Sequence, residues 1–332
     1  MTSAFQDYRV GKAVCMPPTD HWPASVHVFG DKAAAALQAA EVTGRPLLIR
    51  GLPGVGKSQT ARAAAWLAGR PLVSQVIDGR TEAQDLMFRF DAVRRLADAQ
   101  ALQAGQQLKP EAHYLQPQAL WWAFDWEGAA AAQSNPITPA TVPAGWQPAT
   151  GRCVLLIDEI DKADPELPNA LLELLSTQGF FVPITQKRIT VPAARRPLIV
   201  ITTNEERELP APFLRRCLVL KLELSREFDA LVAELAHLGQ LHQDWQSTLH
   251  RQTDGRSGWA GACLVIDEVA RLVAAARIQA QLQRRYLPGT SEFLDLVQAL
   301  AELAPGDAAA QATRLKVLSE FVLLKDQDSG AL

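Results

Sequence analysis

The sequence predicts an α/β protein in which a parallel β-sheet is sandwiched by helices and followed by a small all-α region. Two patterns lead there. Through the first two thirds of the chain, short continuous apolar runs at 46–50, 72–77, 153–157, 198–202 and 218–222 alternate with longer helical stretches. Runs this short and this uniformly apolar suit strands buried on both faces of a parallel sheet. Beyond about residue 225 the strand signals stop, and helical patterns follow at 226–238, 261–284, 291–303 and 308–324. That change from mixed to purely helical patterning marks a domain boundary. The 332 residues are about twice a usual single-domain length of roughly 150, enough for a large core and a satellite.

Composition narrows the class. Hydrophobic residues make up 48% and charged residues 21%, and the mean hydropathy is -0.03, so neither a disordered chain nor an integral membrane protein fits. Lys and Arg number 33 against 36 Asp and Glu, a net charge of -3. No basic excess points to phosphate-backbone binding, and nucleic acid is not an expected partner. Cys15, Cys153, Cys217 and Cys263 are far apart, with no C-x-x-C pair, which indicates reduced thiols rather than a zinc knuckle or a disulfide framework. The opening stretch MTSAFQDYRVGK lacks an apolar leader core, and no run reaches the roughly 18 apolar residues of a membrane span. The expected location is the cytoplasm.

Two stretches depart from the strand–helix alternation. Residues 129–151 hold an alanine run and Pro136, Pro139, Pro143 and Pro148, which predicts a long flexible loop. Residues 180–191 place Thr185-Gln186-Lys187 between two β-forming stretches and predict a hairpin inserted after a helix.

The sharpest chemical signal is Gly51-Leu52-Pro53-Gly54-Val55-Gly56-Lys57-Ser58, followed by Gln59. It is a complete G-x-x-x-x-G-K-[ST] placed after one apolar run and before a helical one. The glycines let backbone N–H groups wrap phosphate oxygens while the helix start adds its positive dipole end. Lys57 reaches the β- and γ-phosphates, and the Ser58 hydroxyl suits a magnesium ion. A second run, 153–157, ends in Asp158-Glu159. Asp158 is placed to hold the magnesium shell and Glu159 to act as a base for an attacking water. By itself this pair would equally suit a solvated acidic turn; the phosphate loop upstream decides for the chemical role. A third run leads into Thr203-Asn204, where the Asn204 amide suits orienting that water, although asparagine at a strand end is also a common turn former. Arg215-Arg216 precede the last apolar run. Such a pair is often a solvated surface, yet a guanidinium also stabilises charge on a transferring phosphoryl group.

The order of these residues, with Leu156-Ile157-Asp158-Glu159-Ile160-Asp161-Lys162-Ala163-Asp164 and the run Thr202-Thr203-Asn204-Glu205-Glu206-Arg207-Glu208-Leu209-Pro210, resembles the AAA+ ATPases. The details look like the MoxR-type or dynein-related (McrB-like) branch, over about residues 26–303. The resemblance implies a P-loop NTPase core at 26–224 after an N-terminal extension at 1–25. Within the core it places an insertion at 81–150 and a hairpin at 180–191, with a helical lid at 225–332 beyond. It implies ATP and Mg2+ as ligands, with Gly51, Pro53, Gly54, Val55, Gly56, Lys57, Ser58 and Gln59 around the nucleotide and Ser58 and Asp158 on the metal. Glu159 and Asn204 become catalytic, and Arg216, with Arg215 as alternate, becomes an arginine supplied to a neighbouring subunit. It further implies a ring, typically a hexamer, that remodels a protein client, with a von Willebrand factor A domain protein as the associated partner.

One departure stands out. The family's lid arginine has no counterpart at the start of the helix near 291, where the sequence is Leu287-Pro288-Gly289-Thr290-Ser291-Glu292-Phe293; Arg284 or Arg285 are the nearest substitutes. Its absence also suits a weakly hydrolysing nucleotide switch or scaffold, and the McrB-like branch allows a DNA-directed NTPase. Residues 26–29 and 32–40 look like the family's adenine-facing segment, and equally like ordinary core. In the insertion, Phe88, Phe90, Trp121, Trp122, Phe124 and Trp126 either pack the insertion itself or form a substrate-gripping surface. His113, His237, His242 and His250 show no metalloprotease spacing and are taken as surface or core residues.

Overall fold

A computed structural model describes residues 10–102, 107–132, 139–283 and 285–323. In chain order, the first elements are β1 (Ala13–Met16), β2 (Ser25–Val28), α1 (Asp31–Thr43), β3 (Leu47–Arg50), α2 (Lys57–Leu67) and β4 (Leu72–Val76). Next come α3 (Ala83–Met87), β5 (Phe88–Phe90), α4 (Ala92–Ala101), β6 (Leu115–Pro117), α5 (Ala119–Phe124) and α6 (Trp126–Ala132). The chain continues with β7 (Val154–Asp158), α7 (Glu166–Thr177), β8 (Gly179–Val182), β9 (Lys187–Thr190), β10 (Leu198–Thr203), α8 (Ala211–Arg216) and β11 (Leu218–Lys221). It closes with α9 (Phe228–Gln252), α10 (Ile266–Gln283), α11 (Thr290–Leu303) and α12 (Ala308–Leu323). These elements fall into two compact units.

The first unit takes residues 31–50 and 60–220. Its centre is a five-stranded sheet in the order β11-β3-β10-β7-β4, with β10 parallel to β3 and to β7, and β4 parallel to β7. The five apolar runs of the sequence are these five strands. All six residues of β10 are buried, as a central strand covered on both faces demands. The register aligns Thr203 with Arg50 and Ile201 with Ile157, so β3, β10 and β7 all end at one edge of the sheet.

The stretch between β4 and β7 folds on itself. β5 and β6 form an antiparallel ribbon, and Trp121, Trp122, Phe124 and Trp126 are buried in the same hydrophobic cluster as the sheet. Trp122 meets Trp126 edge-on at 4.9 Å between ring centroids, and Trp121 meets Phe180 at 6.1 Å. These rings are core, which excludes a substrate-gripping surface built from them. The loop expected at 129–151 is met in part: residues 139–151 form turns and irregular chain with no helix or strand, and 133–138 lie outside the described residues. Its first residues continue α6, and Trp146 packs on Trp126 at 4.9 Å while its indole N–H donates to the Arg152 carbonyl at 3.0 Å. An aromatic ring anchored on both sides fixes the chain that carries it. Pro136 lies outside the described residues. The hairpin expected at 180–191 is β8–β9.

The second unit takes residues 10–30, 51–59 and 221–323 among those described. Helices α9 to α12 surround an apolar core of Leu231, Leu235, Val269, Val273, Phe293, Val297 and Leu300. The ribbon β1–β2 is tied to α9 by side chains: Trp245 Nε1 donates to the Met16 carbonyl at 3.2 Å and Gln246 Nε2 to the Ala24 carbonyl at 3.1 Å. α9 runs on to Gln252 rather than stopping at 238. Gly239, the residue just past that expected end, sits inside the helix, where a Cβ would lie 2.7 Å from Phe293 Cζ. Its small size lets α9 and α11 approach. α10 starts at Ile266 instead of 261.

Candidate functional site

The chain leaves β3 at Arg50 and enters α2 at Lys57, and the six residues between form the phosphate-type loop. Gly54 and Gly56 have φ of 76° and 88°, a left-handed backbone that side chains resist and that turns amide N–H groups inward. Lys57 is buried, and its ammonium donates to the carbonyls of Gly51 and Leu52, each at 2.8 Å. Gln59 Oε1 accepts from the Ser25 hydroxyl at 3.1 Å, joining the loop's helix to the β1–β2 ribbon.

A cavity of about 890 Å3 opens beside this loop, lined by Gly54, Val55, Gly56 and Gln59, by β2, and by α11 residues such as Ser291 and Asp295. That volume is in the range of small-molecule sites. His27 and His242 line it as well. Burial pushes both imidazoles down to about 4, and for His27 the neighbouring His242 adds to the effect. His242 Nε2 lies 3.3 Å from the Val26 amide nitrogen and 3.0 Å from its carbonyl oxygen.

The start of α11 stands on the loop. A Cβ at Gly54 would lie 3.2 Å from Ser291 Oγ and 3.6 Å from Glu292 Oε2. Glu292 is buried, with its carboxylate receiving the Tyr286 hydroxyl at 2.7 Å and the Gly289 N–H at 2.8 Å. Ser291 of α11 thus stands against the loop. The Arg285 side chain is exposed, and Arg284 lies outside the described residues.

A second cluster forms in the sheet unit where β7 and β10 end. The Thr202 hydroxyl donates to Asp158 Oδ1 and accepts from the Glu159 N–H at 3.0 Å. Glu159 has φ 61° and ψ 46°, a left-handed conformation unusual for a residue with a side chain and typical of functional turns. Its Oε1 accepts from Asn204 Nδ2 at 3.2 Å and its Oε2 from Lys162 Nζ at 2.6 Å. The hydrogen bond and charge of Glu159 hold the Lys162 ammonium above its ordinary range. Asp161 sends its carboxylate back under the turn that carries Asn204. The structure therefore joins Asp158, Glu159 and Asn204, three residues marked by sequence alone.

Against this geometry, the family model described as AAA domain (dynein-related subfamily) matches residues 46–217, more than half of the chain. The chain belongs to the AAA family, dynein-related subfamily. No curated protein gives a match. Among solved structures this AAA protein is similar to the Thermotoga maritima RuvB Holliday junction branch migration motor. The identity is 15% over 87% of this chain and 67% of that one, with a TM-score of 0.43. It is also similar to NtrX from Brucella abortus in complex with ATP, at 15% identity and a TM-score of 0.46, covering 87% of this chain and 56% of that one. The chain thus spans little more than half the length of NtrX.

Arg215 and Arg216 of the AAA protein stand apart from the Glu159 cluster, exposed in the last turn of α8. Only their backbone carbonyls are engaged, accepting from Arg45 at 2.6 and 3.2 Å; neither guanidinium forms a hydrogen bond or ion pair with a described residue. Sequence reasoning gave no role at these sites to Thr202, Asp161, Lys162, Ser291 and Glu292, while His27 lies within the stretch 26–29 that resembles the adenine-facing segment. Asp161 and Lys162 had a signal, since they sit in the same short acidic string as Glu159. The others are brought to their sites by tertiary packing.

Proposed function

We propose that this chain is an Mg2+-dependent ATPase of the MoxR type, working as a ring, most simply a hexamer, that remodels a protein partner. The observation that carries the reading is the Asn204 amide on Glu159 at 3.2 Å in a chain that also folds a glycine-turned loop around Lys57. Backbone N–H groups of Gly54, Val55 and Gly56 would cradle the phosphates, with Pro53 and Gln59 flanking them, while Lys57 exchanges its loop carbonyls for phosphate oxygens. By the resemblance, Ser58 and Asp158 would supply a hydroxyl and a carboxylate, hard oxygen donors of the kind magnesium takes. Bound by them, the ion would neutralise charge on the β- and γ-phosphates. Glu159 accepts a proton from the water that attacks the γ-phosphorus as the bond to the β-phosphate oxygen breaks, and Asn204 orients that water. For this, Glu159 must exchange its Lys162 contact for the water.

The guanidinium of Arg216, or of Arg215 as alternate, is exposed and makes no hydrogen bond or ion pair with a described residue, as an arginine offered to an adjoining subunit has to be. The near-neutral charge favours a protein client over nucleic acid, with a von Willebrand factor A domain protein as the partner and the cytoplasm as the location. Subunit mixing tests the reading. Glu159→Gln and Arg216→Ala proteins should each be inactive, and mixing them should restore part of the ATPase activity because a mixed interface can combine an intact Glu159 with an intact Arg216. No recovery at any ratio contradicts a shared site.

A specific observation favours a second reading, a nucleotide switch with little turnover: Lys162 occupies Glu159 Oε2, and α11 carries Ser291 near its start and no arginine. Steady-state phosphate release that stays at background with and without partner proteins would favour the switch.

A further inference from the structure

Asp161 is the most deeply buried carboxylate near the candidate site, at 2% exposure, and the reaction outlined above does not use it. Burying a carboxylate costs several kcal/mol unless hydrogen bonds replace its water. No ion pair reaches Asp161 among the described residues. Instead it takes backbone donors from a single turn: the Asn204 N–H lies 3.2 Å from each of its oxygens, and the Glu206 N–H lies 3.0 Å from Oδ2. Between those donors Glu205 has φ 63°, a left-handed step that lets amides on both sides converge on one anion. The turn after β10 is thus an anion nest filled by the protein's own carboxylate.

The consequence lies in what that turn carries. Asn204 has its backbone N–H on Asp161 and its side-chain amide on Glu159, while Asp161 is joined to Glu159 through the short 3-10 turn Ile160–Lys162. A closed loop results: Glu159 carboxylate, Asn204 amide, Asn204 backbone, Asp161 carboxylate, and back along the chain to Glu159. We infer that Asp161 is a positioning residue, setting the distance and direction of the Asn204 amide relative to Glu159 without touching nucleotide or water itself. The inference rests on Glu159 and Asn204 serving as proposed above.

Asp161→Asn tests it: the remaining amide oxygen can still accept both N–H groups at the Oδ2 position, but the negative charge is lost and the new NH2 at the Oδ1 position opposes the Asn204 N–H instead of accepting from it. The expected result is a fall in kcat of about tenfold, as for loss of orientation rather than of a reacting group, with KM for ATP and ATP affinity within about twofold of wild type. Combined with Asn204→Ala, Asp161→Asn should add nothing to the loss that Asn204→Ala alone produces. Multiplicative losses in the double variant, or ATP affinity falling in step with kcat, would overturn the inference. A second measurement needs no variant to fold: hydrogen exchange in the wild-type protein should show the Asn204 and Glu206 amides protected despite their place in a surface turn, and exchange at the free-peptide rate would overturn the inference. Absent turnover in the wild type would remove the hydrolysis reading alone, since the amide exchange still decides whether Asp161 grips the Asn204 turn.

Discussion

Thr202 ties the two candidate carboxylates together with one hydroxyl, donating to Asp158 and accepting from the Glu159 backbone. Thr202→Val keeps the shape and removes both bonds inside a fully buried position. The expected cost is about 1–3 kcal/mol of stability, read as a lower denaturant midpoint at unchanged slope. His242 makes a pH-dependent contribution. Its imidazole is 6% exposed and held near 4, against an ordinary value of 6.5. The unfolded chain takes up a proton below pH 6.5 that the folded chain refuses until about 4, so stability is full above that window and falls as pH drops through it. The loss attributable to His242 is at most about 3 kcal/mol. Denaturant melts between pH 7.5 and 4.5 should show it, and His242→Gln should flatten the slope.

At the scale of elements, the close approach of α9 and α11 depends on Gly239. Gly239→Ala would press a methyl group onto the Phe293 ring, and overpacking of this kind costs about 1–3 kcal/mol, despite the gain in helix propensity. A thermal melt that shows alanine neutral or stabilising there would contradict that packing. The expected helix end at 238 falls one residue before this glycine, and nothing local reveals that a phenylalanine more than fifty positions on packs against it. The sheet was legible because each strand is a short apolar run with helices between, and the phosphate loop was legible because its glycines, lysine and serine are contiguous. The ribbons β1–β2 and β5–β6 were not, since three- and four-residue strands carry too little alternation to stand out. The aromatics at 121–126 were read as either core or grip, and their burial settles them as core. His27 and His242 are separated along the chain, and only the packing of β2 on α9 makes them neighbours.

For the whole molecule, the sequence-marked residues fall in both units. The helical unit holds the loop with Lys57 and the cavity with His27 and Ser291, while the sheet unit holds Asp158, Glu159 and Asn204. The helix α2, whose first residues belong to one unit and whose remainder belongs to the other, connects them covalently. Lys57→Ala should therefore weaken ATP binding by at least tenfold, since its charge on the phosphates is worth more than about 1.4 kcal/mol, while Glu159→Gln should leave binding intact; calorimetric titration separates the two. Among the described residues no helix is long and apolar enough to cross a membrane. The central claim is hydrolysis, and the most direct measurement is steady-state phosphate release from Mg2+-ATP by wild-type protein and by Glu159→Gln at matched nucleotide occupancy. Turnover is expected in the wild type and its loss, with ATP still bound, in Glu159→Gln; equal phosphate release by the two proteins would contradict hydrolysis at this site.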